Sequence, residues 1–334
     1  MEHRVTLKQV AAHAGVSYQT VSKVLNQQAQ VSKETEERIW NSVRSLGYRP
    51  NQIARSLRSS RSCLIGYSWE PTPPDQPNSI LDLFLMSMTQ AAERAGYHLL
   101  TFPHRPGEEW IDSYRELIDT NRVDGFVLSS VENDDSRISF LCERNFPFVA
   151  FGRSDHTLDY PYVDVDGAWG TQLVVEHLLA MGHQRIFALA WPQPSRVGEN
   201  RLEGFLKTLG QVGVGPGDGM VARGEGSFRF GYETTVGWLD QPLDRRPTAI
   251  VAFNDAMAIG AMQAIRERGL SIGEDIAVSG FDDAPMVQYL NPPLTSVRQP
   301  AWEVGQRVIS ILAGLLDGTP PIEQQVLLQP RLIV

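Results

Sequence analysis

Cysteine is nearly absent from this chain. Cys63 and Cys142 are the only two in 334 residues, and they form no CxxC pair. A disulfide framework or a thiolate metal site is not expected, and a reducing, cytosolic setting fits. No apolar run approaches the ~20 residues that a membrane span needs. The opening MEHRVTLKQVAAHAGV has no apolar stretch behind a basic start, so neither a membrane anchor nor a secretory signal is expected. The seven histidines (His3, His13, His98, His104, His156, His177 and His183) are scattered, with no HExxH and no pair four residues apart. A zinc site is therefore not expected. A GxSxG elbow and a GxxxxGK[ST] phosphate loop are also missing. The run Gly213-x-Gly215-x-Gly217-x-Gly219 contains Pro216 and leads into a strand, the reverse of what pyrophosphate binding requires. No cofactor and no catalysis are expected.

What is present is an uneven charge. The net charge is −9, yet residues 1–62 carry ten Lys+Arg against four Asp+Glu, while the remainder carries 20 against 35. A basic head on an acidic body suits a chain in which one segment meets phosphate and the rest avoids it. A solvated basic face on a small helical domain explains the charge equally well, so the motif must decide. Length points to two or three domains. Residues 1–49 read as short helices. Residues 50–62 are basic and Ser-rich and read as a linker. From Cys63 onward, apolar strands near 64–68, 98–102, 125–129, 148–151, 185–190, 220–222, 249–253 and 277–280 alternate with helices near 80–95, 108–120, 166–181, 199–209, 230–239 and 255–268. Such alternation predicts parallel βαβ units. So many strands exceed one comfortable sheet, so residues 63–334 are expected to form two doubly wound α/β lobes with a cleft at the carboxyl ends of the strands.

In the head, Thr6 and Gln9 fit a capping box, and Leu7, Val10, Ala11 and Ala14 follow helical spacing. Gly15 breaks the helix, and Ser17 caps a second one from 18 to 26 whose Val21, Val24 and Leu25 face inward. Tyr18, Gln19, Ser22 and Lys23 are left outward, at the positions that enter the major groove of DNA. Gln19 can bond adenine through two bonds, and Lys23 can address guanine O6 and N7. Thr20 and Ser22 can reach phosphate, and Thr6, Ser17 and Asn26 at the helix ends complete the DNA-facing set. A third helix, 33–46, closes the core with Ile39, Val43 and Leu46. An ordinary three-helix bundle is the competing reading, and the polar outward face with the basic balance favours DNA.

VTLKQVAAHAGVSYQTVSKVLN followed by VSKETEERIWNSVRSLGYRPNQIARSLRS resembles the head of the LacI/GalR family of bacterial repressors. The resemblance extends over the whole chain, because the body carries that family's periplasmic-binding-protein-like pattern. It implies that Tyr18 and Gln19 read bases and that the linker 50–58, with Asn51 and Ala54, folds into a hinge helix on the operator. Leu57 would be the apolar wedge in the minor groove. Lys23 stands where a lac-type recognition helix has Arg, which changes the reading of that base. Without the family, Ile53, Ala54 and Leu57 read equally well as an apolar face packed on the body.

A sugar site needs groups that bond hydroxyls in pairs and an aromatic face for the ring. Asp164, Asp166, Arg201, Asn254, Asp255, Asp282 and Asp283 all stand at strand ends, although Asp166 and Asp255 suit N-capping slightly better. NRLEGF, FNDAMAIGAMQAIRERG, GFDD and PPLTSVRQP resemble the family's effector-domain motifs. The resemblance implies that Arg201, Asn254 and Asp282 bond effector hydroxyls, that Phe228 stacks on the ring, and that Tyr162 is an aromatic wall. Trp69 and Glu70 depart from the family's usual pair after the first strand and are expected to reshape the pocket. Trp191 and Trp302 are further candidates for the cleft or the core. The expected partners are double-stranded operator DNA, a mono- or disaccharide effector and a second copy of the chain. No leucine heptad follows Arg331, so a dimer is expected rather than a tetramer. A sugar-binding transport protein and a sugar-acting α/β enzyme are the alternatives.

Overall fold

The computed structural model describes residues 5–25, 31–48, 61–69, 78–103, 110–154, 158–193, 195–215, 217 and 219–334. Asn26, Asn51, Ala54, Leu57 and Glu70, and with them almost all of the expected hinge, lie outside the described residues. Contacts divide the chain into two units, Met1–Ser62 and Cys63–Val334.

In the first unit, α1 (Leu7–Ala14), α2 (Tyr18–Leu25) and α3 (Lys33–Leu46) surround Val10, Ala14, Val21, Val24, Ile39 and Tyr48. The capping box forms: the Gln9 amide donates to Thr6 Oγ1 at 3.4 Å, and the Thr6 amide donates to Gln9 Oε1 at 2.8 Å. Gly15 stops α1 at φ +63°, a left-handed geometry that a side chain resists. Ser17 Oγ accepts from the Thr20 amide at 3.1 Å and starts α2.

The second unit contains two six-stranded sheets. The first comprises β1 (Leu64–Trp69), β2 (His98–Pro103), β3 (Gly125–Leu128), β4 (Phe148–Phe151), β5 (Tyr162–Val165) and β11 (Gln325–Leu328), in the order β11-β5-β4-β3-β1-β2. The second comprises β6 (Ile186–Ala190), β7 (Val221–Arg223), β8 (Ala249–Ala252), β9 (Ala277–Asp282), β10 (Thr295–Arg298) and β12 (Arg331–Ile333), in the order β12-β10-β9-β8-β6-β7. Every pairing is parallel except that of β10 with β12. The central strands β3, β6 and β8 are buried at every residue, because helices cover both faces of a doubly wound sheet. In lobe 1, α4 (Ser79–Arg94) and α11 (Ala301–Leu316) cover one face, and α5 (Trp110–Asp119) with α6 (Ser136–Glu143) covers the other. In lobe 2, α7 (Gly167–Ala180), α8 (Arg196–Gln211), α9 (Phe228–Leu239) and α10 (Asp255–Glu267) pack around a single core cluster.

The chain passes between lobes three times: from β5 to α7, from β10 to α11 and from β11 to β12. The segments β5, β10, α6, α11, β11 and β12 are additional to the strands and helices expected from the sequence.

Candidate DNA-binding face and ligand cleft

On the head, Tyr18 is 41% exposed, and Ser17, Gln19 and Lys23 are also exposed, with Ser17, Tyr18 and Gln19 at the start of α2 and Lys23 in its last turn; Thr6, the N-cap of α1, is exposed too. Thr20 is half-buried. Ser22 departs from the expected outward position and is buried. It lies between the core residues Val21 and Val24, on the side of α2 that packs into the helical bundle. His13 Nδ1 lies 3.0 Å from Ser42 Oγ and ties α1 to α3, a structural role.

In the body, a cavity of about 1150 Å³ opens where the carboxyl ends of both sheets face each other. Its walls are the end of β5 and the segments following β3, β4, β6, β7, β8, β9 and β10, with 78–81 beside them, as expected at the switch points of doubly wound sheets. Arg201 stands at its centre. The residue is 3% exposed, and its guanidinium lies 3.5 Å from the Phe281 ring centre and 4.8 Å from that of Trp191. One terminal nitrogen donates to the Phe253 carbonyl, and the other is 3.8 Å from Asp282 Oδ1. Arg201 Nε is buried with no hydrogen-bond partner among the described residues, an uncompensated donor in the wall of the site. Burial brings this guanidinium down to about 10, against the pull of Asp282, Asp255 and Asp164.

Asp282 ends β9 at φ +116°, a region non-glycine residues rarely occupy. Such strain, about 1–3 kcal/mol, collects at binding sites held in place by their surroundings. Gln299 Nε2 donates to Asp282 Oδ1 at 2.7 Å. Burial pushes the Asp282 carboxyl up to about 6, with Arg201 and Gln299 pulling it back. Asp255 rises to about 7 through burial and the nearby Asp282 charge, although it accepts from Ser296 Oγ at 2.6 Å and from the Ala284 amide at 2.7 Å. Between pH 4 and 7 the folded body keeps protons on these acids that the unfolded chain has released. Its stability is therefore expected to fall as pH rises across that range. Urea unfolding at pH 5 and pH 8 should show Asp255→Asn losing about 2–4 kcal/mol of the difference that the unmodified chain shows. An unchanged difference would remove Asp255 from this account.

The remaining candidates separate. Phe228 lines the cavity, half exposed, and stacks on Tyr232 at 6.3 Å. Trp191 also lines it. Asn254 lines it but is the N-cap of α10. Its Oδ1 accepts from the Met257 amide at 2.8 Å and its Nδ2 donates to the Gly226 carbonyl at 2.7 Å, so its amide is already engaged. Asp255, expected as a cap, follows that cap instead, whereas Asp166 does cap α7, accepting from the Trp169 amide at 2.9 Å. Asp283 pairs with Arg298 at 2.5 Å, away from the lining.

Tyr162 is not a wall of the cleft. It packs beside Tyr160, at 5.9 Å, in the lobe 1 core, because it sits two residues, about 6.6 Å of strand, before Asp164, which does reach the cavity. Trp69 is the last residue of β1, is 42% exposed, and is not among the described lining residues. Trp302 is exposed on α11, neither cleft nor core.

The sequence reading missed Arg137, Arg153, Arg196 and Gln299. Arg153 stands two residues past the strand 148–151, and a charged residue near a strand end is the signal that singled out Asp282. Arg137 lies in α6, where no helix was expected. It is buried, bonded to Asp135 at 2.6 Å and to the Ser129 and Ser130 carbonyls. Among the described residues no helix is long and apolar enough to cross a membrane.

Residues 6–51 match the family model described as bacterial regulatory proteins, lacI family. Residues 175–334 match that of a periplasmic binding protein-like domain. The lactose operon repressor of Escherichia coli K12 is 34% identical over 94% of this chain and 85% of its own length. A solved regulatory protein of the LacI family from Chloroflexus aggregans is 51% identical, covering 82% of this chain and 97% of its own, with a TM-score of 0.79. A solved lac repressor dimer, bound to operator and an anti-inducer, is 31% identical over 99% of this chain and 98% of its own, with a TM-score of 0.85. A DNA-binding head has no place in a transport receptor or a sugar-acting enzyme, and both alternatives fall away. The chain belongs to the lacI family of bacterial regulatory proteins.

Proposed function

We propose that this chain is a transcription repressor that binds a near-palindromic operator as a homodimer and responds to a mono- or disaccharide. The observation that carries this reading is the exposed face of α2, with Tyr18 and Gln19 in its first turn and Lys23 in its last, on a helix fixed by the Gly15 turn and the Ser17 cap. Two such helices, about 34 Å apart, would enter successive major grooves. Tyr18 and Gln19 read base edges, Lys23 addresses guanine, and Thr6, Ser17 and Thr20 hold phosphate. Residues 50–62, with Asn51, Ala54 and Leu57, fold as a hinge on the minor groove, and Leu57 wedges the central step. In the cleft, Arg201 and Asp282 bond hydroxyls while Phe228 and Trp191 offer ring faces. Closure of the lobes around the sugar changes the spacing of the hinges, and linkage makes DNA and sugar affect each other equally. In the cell the protein resides in the cytoplasm, on the nucleoid when bound.

The test selects duplexes from a random pool with the full chain and then measures anisotropy with and without saccharides. A palindrome with half-sites one helical turn apart is expected. Gln19→Ala should weaken that duplex by about 10- to 100-fold while sparing random DNA. A pool with no enriched sequence, or equal loss on all DNA, would refute the assignment.

A further inference from the structure

The lobe 1 wall of the cavity contains an ion pair with no role in the reading above. The Gly152 amide donates to the Val163 carbonyl at 3.0 Å, so the pairing of β4 with β5 runs on past Phe151 and sets Arg153 beside Asp164. Arg153 Nε donates to Asp164 Oδ2 at 2.6 Å, and the two side chains are 24% and 15% exposed, both lining the cavity. Asp164 Oδ1 accepts from the Val165 amide at 2.8 Å. The terminal Nη groups of Arg153 take no acceptor among the described residues. The Asp164 charge is felt by Arg201, and that of Arg196 by Asp164, so the pair lies within electrostatic reach of the lobe 2 cluster.

A guanidinium only donates and a carboxylate only accepts, whereas each sugar hydroxyl does both. An adjacent Arg–Asp pair therefore matches neighbouring hydroxyls. Around the whole cavity carboxylates outnumber arginines seven to four, and Arg137 is already engaged by Asp135 and two carbonyls. A phosphate would enter a field of its own sign. We propose that Arg153 and Asp164 form a second hydroxyl-recognition pair, the lobe 1 counterpart of Arg201 and Asp282, and that the effector is an uncharged saccharide gripped from both lobes. This rests on the saccharide reading above and adds to it the charge class of the ligand and the group that pulls lobe 1 inward.

Isothermal titration calorimetry of the full chain with glucose, galactose, maltose, cellobiose, sucrose, lactose and glucose 6-phosphate tests it. A neutral sugar should bind and glucose 6-phosphate should not. For the sugar that binds, Asp164→Asn and Arg153→Gln should each weaken affinity by about 10- to 100-fold, with Arg153→Lys recovering part of the loss. Thermal unfolding without sugar separates misfolded variants, and the isosteric Asp164→Asn is the mildest of the three. Deoxy derivatives supply the readout that a structural role would not move. One missing hydroxyl should cost the unmodified chain affinity and cost Asp164→Asn almost nothing further. If a neutral sugar binds the unmodified chain and both variants equally well, or the deoxy losses simply add, the pair is overturned and the saccharide reading survives. If glucose 6-phosphate binds best, the charge class is overturned. If no sugar binds, the saccharide reading fails and takes this inference with it.

Discussion

Arg201→Met should leave operator affinity indifferent to any saccharide that shifts it in the unmodified chain. The guanidinium lies between the end of β8 and Asp282 of β9, bonded to the Phe253 carbonyl and packed on Phe281, with Nε buried and unpartnered among the described residues. Truncating one partner of a buried charged pair costs about 2–5 kcal/mol, roughly 30- to several-thousand-fold in affinity. Asp282 loses its neighbouring positive charge and holds its proton more tightly still. The measurement is the ratio of operator affinities with and without sugar, which should collapse to one. A variant that keeps the full ratio would place recognition elsewhere in the cavity.

The second large effect concerns packing. Helices α9 and α10 touch through glycine: a Cβ on Gly231 would overlap the Met257 carbonyl oxygen, and one on Gly260 would overlap that of Phe228. Both obstacles are backbone, so neither can rotate aside, and overpacking of this kind is expected to cost about 3 kcal/mol or more. Gly231→Ala should lower the urea midpoint of the body sharply. Gly237→Ala, in the same helix but with nothing near its added carbon, should raise stability by about 0.5–1 kcal/mol. Because the crossing fixes the backbone of Phe228, partial survival of Gly231→Ala would still show weakened sugar binding. Equal midpoints for the two variants would contradict the close approach.

Local chemistry made the head legible. The Thr6–Gln9 box, the Gly15 stop and the Ser17 cap each need only neighbours within four residues, and α3 spans 33–46 as read. Lobe strands such as β6 and β8 were equally plain, being apolar runs buried on both faces. What escaped was set by distant partners. β5 reads Tyr-Val-Asp-Val and β12 reads Arg-Leu-Ile, segments too short and too mixed to mark a strand without a sheet edge to join. α11 is different: its buried stripe of Ala301, Val304, Val308, Ile309 and Leu312 alternates with exposed Glu303, Arg307 and Ser310, a helical period that local pattern alone could have revealed. Distant partners also left the site half visible. A charged residue after a strand signals Asp282 or Arg153, but no sequence rule turns Tyr162 inward or shows that Asn254 spends its amide on Met257 and Gly226.

The three passages between lobes also bear on how the body is made. One edge strand of the first sheet and one of the second, β11 and β12, come from one stretch of nine residues, 325–333. Until that stretch has left the ribosome, β5 and β10 each present a bare row of amides and carbonyls, and such edges invite pairing with other nascent chains. Both lobes must therefore wait for the same few residues, and a translation stall shortly before them would release a body unfinished on two sides at once.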